Sequence, residues 1–242
     1  MENYRLIPEK YRFLSSSGLK VIAVLTMLID HVASVFLREN PIIILQIADH
    51  TLTLYTLMRF IGRIAFPIFA FLLAEGCHYT SDRKKYGIRL FVFALISEIP
   101  WNLEHSGNFL YSSQNVFFTL LLGFLGLCVI EELKTAKDKK KGIFALLVLL
   151  LISIVLRADY GCSGFGFILL MGLLRDYPVF RAVTGSCFLS SRWQAGLAFI
   201  PIAFYNGKRG FIKGKVLKIL FYVVYPLHML ILYLIKKNMG GY

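Results

Sequence analysis

The sequence RFIGRIAFPIFAFLLAEG runs from Arg59 to Gly76 and is long and apolar enough to cross a bilayer as a helix. It nevertheless carries two arginines, Arg59 and Arg63, whose spacing of four residues puts both side chains on one helix face. A charged side chain at membrane depth costs at least about 2.5 kcal/mol, so such residues usually pair, line a cavity or take part in chemistry. The stretch therefore predicts one wall of a buried polar site.

The composition places the rest of the chain in a membrane as well. Of the 242 residues, 57% are hydrophobic, and several apolar runs reach the roughly 20 residues that span hydrocarbon as a helix. The net charge of +13 could indicate nucleic-acid binding, but the Lys and Arg residues cluster in short loops between the apolar runs. That pattern is typical of the positive-inside bias, so we expect a lipid-embedded chain with no nucleic-acid partner.

We expect an all-α, polytopic helical bundle of about nine transmembrane segments, some of them short or broken. Residues 1–18 are predicted to form a cytoplasmic N-terminal arm, residues 19–236 a single transmembrane domain and residues 237–242 a short tail. Treating 178–205 as two short spans keeps the basic loop NGKRG in the cytoplasm. The predicted segments are 19–37, 53–76, 87–103, 113–133, 142–157, 165–176, 178–190, 194–205 and 215–235.

Polar side chains from six segments or their ends fall at similar depths. A helix rises about 1.5 Å per residue, which places His31 roughly 18 Å from the cytoplasmic end of its segment, just past the midplane. The same estimate puts residues of the other segments between the midplane and the outer leaflet. This agreement predicts one internal polar chamber, formed by His31, Arg59, Arg63, Glu98, Asn115, Asp159 and His228.

Each of these groups also has a purely structural interpretation. A histidine at membrane depth often only hydrogen-bonds between helices, which applies to His31 and His228. The two arginines of the opening stretch could neutralise Asp30 and Glu98 as a structural ion network. The sequence DYG at 159–161 could simply form a turn. The residues alone leave both interpretations open.

The four cysteines do not have the spacing of a metal site, and no Cys or His pair in the chain does. We expect no metal and treat the cysteines as small apolar residues in or near helices. The basic loop NGKRG is different in kind, because Gly207 and Gly210 flank two cations. Glycines of this kind could let the backbone and the cations approach a phosphate closely.

A series of motifs runs through the chain, namely GLKVIAVLTMLIDHVA, the stretch from RFIGRIAFP to SEIPWNL, NVFFTLLLG, DYGCSG, FYNGKRG and YVVYPLHMLILYL. From Leu19 to Ile235 these motifs resemble those of the TraX family of conjugal-transfer pilin acetylases. The chain is more loosely similar to membrane acyltransferases of the AT3 type and to the lysosomal heparan glucosaminide acetyltransferase. In AT3 proteins the first helix carries a histidine, which His31 in LTMLIDH resembles.

What the resemblance implies is acetyl transfer across a bacterial inner membrane, with the N-terminus in the cytoplasm. Acetyl-CoA would be the cytoplasmic donor, and the external acceptor would be a pilin-like amino terminus, a glycan or a small molecule. The acceptor would lie near Asp159, Tyr160 and Tyr225. The phosphates of acetyl-CoA would meet the basic inner face, where the expected residues are Arg83, Arg89, Asn206, Lys208, Arg209 and Lys213.

The residues at similar depth suggest the catalytic roles for such a transfer. His31 would take a proton from the acceptor or carry the acetyl group transiently, and Glu98 would hold the imidazole in place. An arginine or Asn115 would stabilise the tetrahedral oxyanion. Asp30 is adjacent to His31 and therefore points roughly 100° away from it. The expected catalytic set is His31, Glu98, Arg59, Arg63, Asn115, Asp30 and His228.

Two other classes of protein fit the same pattern. Ionisable residues at membrane depth are also typical of ion- or proton-coupled transporters, and short or broken segments favour that interpretation. No internal repeat in the sequence supports it. A third alternative is a pilus or envelope assembly scaffold without catalysis.

Overall fold

The computed structural model describes residues 7–47 and 50–240, without the side chains of His50, Ser190, Ser191, Arg192 and Lys215. The first six residues of the predicted arm and the last two of the predicted tail lie outside the described residues. The chain divides into two compact units, Met1–Phe69 with Ala182–Tyr242 and Ala70–Arg181. The single domain predicted over 19–236 stays a prediction.

The described chain is mostly helical. The 3-10 helices Glu9–Tyr11 and Ser190–Ala198 accompany the longer elements. In chain order these are α1 (Ser16–Phe36), β1 (Ile43–Ile47), β2 (His50–Thr53), α2 (Leu54–Gly62), α3 (Ala65–Tyr79), α4 (Arg83–Ser106), α5 (Val116–Leu133), α6 (Lys140–Val155), α7 (Gly161–Leu173), α8 (Pro178–Phe188), α9 (Phe199–Ala203) and α10 (Lys215–Asn238).

Several of these helices have the length and composition of membrane spans. Among the described residues, four stretches qualify, namely Ser16–Phe36, Leu54–Tyr79, Val116–Leu133 and Val216–Asn238. The helices Gly161–Leu173 and Trp193–Ala203 are apolar but shorter. The apolar helices therefore indicate a membrane protein, whereas the nine predicted segments are not confirmed.

The predicted all-α class misses a β-hairpin between α1 and α2. Strands β1 and β2 pair antiparallel, with Leu45 opposite Leu52 and Ile47 opposite His50. Three isoleucines at 42–44 and Ile47 favour strand, because β-branched side chains fit an extended backbone. Thr53 ends the hairpin and caps α2 through reciprocal hydrogen bonds with Thr56.

The predicted continuous segment 53–76 is interrupted between α2 and α3, at Arg63 and Ile64. Pro67 explains the break, because it has no N–H to donate to the carbonyl of Arg63 and its ring clashes with that carbonyl. Ile64 N–H donates instead to the carbonyl of Ile61, three residues back, at 3.4 Å. This is the bond of a 3-10 turn, which is narrower than an α-helical turn. The arginines of the opening stretch consequently belong to the end of one helix and to the turn that follows it.

The loop NGKRG, residues 206–210, is hydrogen-bonded to the beginning of α1. Ser16 N–H donates to the carbonyl of Lys208 at 2.8 Å, and Ser17 N–H and Oγ both donate to the carbonyl of Arg209, at 3.1 and 2.8 Å. Ile212 N–H donates in turn to Ser17 Oγ at 2.8 Å. The first N–H groups of α1, which have no partner within a helix, are thus satisfied by the loop.

This loop also leads directly into α10, so α1 and α10 begin at the same end and run parallel. Further along the pair, His31 Nδ1 of α1 lies 2.8 Å from Met229 Sδ of α10. These two residues are 198 positions apart in the chain. The loop and the His31 contact together fix the register in which the two helices lie side by side.

Gly210 should be more sensitive to substitution than Gly207. Both have a positive φ, +80° and +77°, where an added Cβ costs about 1–2 kcal/mol. At Gly210 a Cβ would also lie 2.8 Å from Ser17 Oγ, whereas nothing lies within 4 Å at Gly207. We expect Gly210→Ala to lower the unfolding temperature in detergent clearly more than Gly207→Ala. Equal losses would contradict the close approach of the loop to α1.

Candidate functional site

The predicted site residues come together in two groups, one in each compact unit. In the first unit, His31 and His228 form a direct hydrogen bond, with His31 Nδ1 3.1 Å from His228 Nε2. His228 Nδ1 lies 2.9 Å from the carbonyl oxygen of Val224. A carbonyl can only accept, so the hydrogen of neutral His228 is on Nδ1 and its Nε2 is an acceptor. His31 Nδ1–H is then the donor, which places the basic lone pair of His31 on Nε2.

Met229 and Tyr225 surround this histidine pair. A thioether sulfur is a weak acceptor, so the Met229 contact independently favours a hydrogen on His31 Nδ1. The ring of Tyr225 packs edge-on, with its centroid 6.4 Å from that of His31 and 5.6 Å from that of His228. Tyr225 and His228 are buried, whereas His31 is partly exposed. His31 is therefore the more accessible member of the pair.

Asp30 and Arg59 form an ion pair next to the histidines along α1. Arg59 Nη1 donates to Asp30 Oδ2, and both side chains are largely shielded from solvent. Gly62 lies against the Asp30 side chain, so that a Cβ at this position would overlap it. This close approach brings α2 against α1. The Arg59 guanidinium thus has a carboxylate partner, as the structural interpretation of the arginines expected.

Arg63 differs from Arg59 although it lies only one helical turn away. It is the C-cap of α2 and is partly buried. Within the described part of the chain, its guanidinium makes no hydrogen bond or ion pair. The break caused by Pro67 holds this cation between α2 and α3. The charge of Arg63, unlike that of Arg59, has no carboxylate partner among the described residues, so its donors could meet an incoming oxyanion.

Glu98 and Asn115 pair in the second unit. The amide Nδ2 of Asn115 donates to Glu98 Oε2 at 2.5 Å and to the carbonyl of Ala94 at 2.9 Å, while its Oδ1 accepts from Phe117 N–H at 3.0 Å. Both amide hydrogens of this fully buried residue are therefore used within the fold, where it caps α5. These contacts give Asn115 a structural role, and its expected role as an oxyanion donor stays a prediction.

The expected orienting role of Glu98 stays a prediction. Its carboxylate accepts from Asn115, and the hydrogen-bond partner described for His31 Nδ1 is His228. The sequence favoured a carboxylate in this role by analogy with a catalytic triad. A second imidazole can do the same work, because its Nε2 accepts the hydrogen that fixes the tautomer of the first.

The DYG stretch forms a turn that joins the beginnings of α5 and α7. Asp159 N–H donates to the carbonyl of Gln114 at 2.9 Å, and Gln114 N–H donates to the carbonyl of Arg157 at 3.2 Å. Tyr160 is the N-cap of α7, and its carbonyl accepts from Ser163 Oγ at 2.8 Å. These contacts agree with the turn interpretation, and the contribution of Asp159 and Tyr160 to acceptor binding stays a prediction.

The basic residues expected to meet the donor phosphates lie at two places. Lys208, Arg209 and Lys213 are exposed in or next to the NGKRG loop, and Asn206 Oδ1 accepts from Lys208 N–H at 2.9 Å, which shapes the turn. In the second unit, exposed Arg89 lies over the Tyr86 ring, 5.5 Å from its centroid.

Partly buried Arg83 begins α4 directly after its N-cap Asp82. The pKa of Asp82 is lowered because the backbone N–H and the ammonium of Lys85 both contact its carboxylate. Asp82 is therefore an ionised cap, which suits the positive end of the α4 dipole.

Sequence reasoning missed an ion cluster in the second unit. Arg175 Nε and Arg181 Nη1 approach the same oxygen, Glu75 Oε1, at 3.4 and 3.6 Å. Arg175 also donates to the Tyr79 hydroxyl at 2.8 Å, and Arg181 lies over the Phe71 ring, 4.7 Å from its centroid. The acidic residue Glu75 in the apolar helix α3 was a signal that a cation must lie nearby. Its partners could not be chosen, because about a hundred residues separate them from it in the chain.

The cysteines and acids form no evident metal site in residues 7–47 and 50–240, where no three His, Cys, Asp or Glu side chains come together. The sulfurs of Cys77 and Cys128 nevertheless lie 3.9 Å apart in the second unit. Nothing in the sequence spacing pointed to that pair. Both residues are free thiols.

Comparison with known proteins places the chain in a family. The family model described as TraX protein matches residues 15–236, so the chain belongs to the TraX family, as its motifs predicted. The probable fimbrial assembly protein FimC, serogroup H1, of Dichelobacter nodosus is 28% identical over 249 residues, an alignment that covers 90% of this chain and 94% of that protein. No solved structure matches the chain significantly.

The Asp30–Arg59 pair should behave as a structural unit. Asp30→Asn or Arg59→Gln alone leaves a shielded charge without its partner, which typically costs about 3 kcal/mol. The double substitution removes both charges, so we expect it to lose less stability than the sum of the single substitutions. Thermal unfolding of the four proteins in one detergent measures this coupling. Additive losses would show that the two side chains act independently.

Proposed function

We propose that this TraX-family chain is a transmembrane acetyltransferase, which transfers an acetyl group from cytoplasmic acetyl-CoA to an amine or hydroxyl at the external side of a bacterial inner membrane. The observation that carries the proposal is the direction of the hydrogen bond between His31 and His228. In the neutral form of His31 this bond fixes one tautomer, whose basic nitrogen Nε2 belongs to the more accessible ring of the pair. Such a group is what a general base for acyl transfer requires.

The proton balance of the reaction follows from that arrangement. His31 Nε2 takes the proton of the acceptor as its nitrogen or oxygen attacks the acetyl carbonyl. The carbon–sulfur bond of the thioester then breaks, and the proton on His31 passes to the leaving thiolate. Acetylated acceptor and free coenzyme A are the products, and the imidazole returns to its neutral form.

Two further side chains support this sequence of steps. His228 accepts the Nδ1 hydrogen of His31 throughout, so it stabilises the imidazolium that forms in the transition state. Its own Nδ1–H is held by the carbonyl of Val224. The uncommitted guanidinium of Arg63 is our choice for the oxyanion of the tetrahedral intermediate, a contribution typically of about 10²–10³ in kcat.

The direction of transfer rests on the cations of the chain. Lys208, Arg209 and Lys213 lie at the end where both α1 and α10 begin, and the positive-inside bias assigns that end to the cytoplasm. The N-terminus would then be cytoplasmic and the acceptor external. The acceptor we favour is the amino terminus of a fimbrial or pilin subunit. The family resemblance and the fimbrial assembly relative support that choice.

Replacement of His31 tests the proposed base. We expect His31→Ala to lower kcat by about 10²–10⁴-fold, because a positioned base contributes that much to proton transfer. Thiol release from acetyl-CoA, with a short peptide bearing a free amino terminus as acceptor, measures the rate in lipid nanodiscs. The exposed His78 provides the matched control, and His78→Ala should retain activity. An active His31→Ala protein would remove His31 from the mechanism.

Replacement of His228 tests the positioning role separately. His228→Gln removes the imidazole acceptor of the His31 hydrogen, so kcat should fall by about tenfold or more while KM for acetyl-CoA stays near its original value. A rise in KM with unchanged kcat would assign His228 to substrate binding. Proton-coupled uptake into vesicles, without thiol release, would favour the transporter alternative for the histidine pair.

A further inference from the structure

Three cations from separate parts of the chain come together at the end of the α1–α10 pair where both helices begin. Lys20 lies one turn into α1, Arg209 is in the NGKRG loop, and Lys218 is in the first turn of α10. The hydrogen bonds from Ser16 and Ser17 to the loop hold Arg209 at the first turn of α1. The charges of Arg209 and Lys218 both act on the Lys20 ammonium.

The helix register explains why the two lysines meet. Lys20 and Lys218 are 198 positions apart, the same separation as His31 and Met229, which are in contact. When two parallel helices keep one register, residue pairs with the same separation in sequence lie side by side at the same level along the helix axes. Lys20 precedes His31, and Lys218 precedes Met229, by eleven positions in each case. Eleven residues are close to three full helical turns. Lys20 therefore lies on the same face of α1 as His31, and Lys218 lies on the same face of α10 as Met229.

The two neighbouring cations make the position of the Lys20 ammonium favourable for an anion. Lys20 is partly buried, and within residues 7–47 and 50–240 it forms no ion pair. Partly shielded ammonium groups repel each other more strongly than groups in bulk water. An anion with several oxygens would relieve that repulsion and engage Lys, Arg and Lys together.

We propose that Lys20, Arg209 and Lys218 form a phosphate-binding site that holds the nucleotide end of coenzyme A. The inference rests on the proposed function, and it adds two lysines that the motifs did not single out. The distance supports this ligand. Along one face of α1, Lys20 lies about 16 Å from His31, which is of the order of an extended pantetheine arm. A phosphate held at Lys20 would thus let the thioester reach the histidine pair.

The test measures coenzyme A binding by calorimetry, with the full chain in phosphatidylcholine nanodiscs at low salt. Lys20→Gln and Lys218→Gln should each weaken binding about tenfold or more, the usual effect of losing a charged hydrogen-bond donor. Lys20→Arg keeps the charge and should bind nearly as the original chain does. Lys137→Gln, at an exposed lysine between α5 and α6, is the matched control and should change nothing. Pantetheine, which has no phosphate, should bind equally to all variants.

Several results would overturn the proposal. One is an unchanged affinity for coenzyme A in both glutamine variants, and another is a loss of pantetheine binding as large as the loss for coenzyme A. The same nanodiscs with added phosphatidylglycerol distinguish the second source of phosphate. The measurement is the amount of phosphatidylglycerol that remains bound to the protein. If Lys20→Gln and Lys218→Gln reduce only that amount and still bind coenzyme A normally, the three cations bind a lipid headgroup, and the nucleotide site is refuted.

The outcome can be separated from that of the proposed function. Cluster-dependent binding of coenzyme A without any thiol release would uphold the phosphate site and refute the acetyltransferase. Acetyl transfer with an unchanged KM for acetyl-CoA in the cluster variants would uphold the enzyme and refute the site. A chain that binds no coenzyme A at all would refute both.

Discussion

The parallel register of α1 and α10 is the constraint on which the first compact unit depends. It is set at one end by backbone hydrogen bonds, where Ser16 and Ser17 donate to the carbonyls of the NGKRG loop. At the other end it is set by the contact of His31 with His228 and Met229. Backbone contacts of this kind do not depend on side-chain length, so they hold the helices at a fixed height. A shift by one residue would rotate His31 by about 100° away from its partner.

The two arginines that made the opening stretch unusual have separate physical explanations. Arg59 ends α2 and neutralises Asp30 across the interface that Gly62 makes close. Arg63 lies beyond the last turn, where Pro67 prevents the helix from continuing. Because of this proline, the two arginines do not share one continuous helix. Arg59 is paired with Asp30, and Arg63 lies at the break. The ion-network interpretation applies to Arg59, whereas the oxyanion role of Arg63 is a proposal.

Much of this arrangement could be predicted from the sequence, and the remainder has identifiable causes. His31, Arg59 and His228 stood out because ionisable groups are costly in an apolar helix. The break before Pro67 was not predicted, although its cause is a single residue within the segment. The two hydrogen bonds that the Asn115 amide donates could not be predicted, because Glu98 and Ala94 lie about twenty residues away in the chain. Register between distant helices cannot be read from either helix alone, and the β-hairpin was hidden in a run taken for a loop.

The first compact unit combines residues 1–69 with residues 182–242, which are synthesised much later. A ribosome therefore releases α1 into the membrane long before α10 has been made. The second imidazole does not exist while the chain is growing, and neither does the loop that occupies the first N–H groups of α1. Assembly of the histidine pair therefore waits until α10 has been made. A truncated or stalled chain would contain the more accessible histidine but lack the group that fixes its proton.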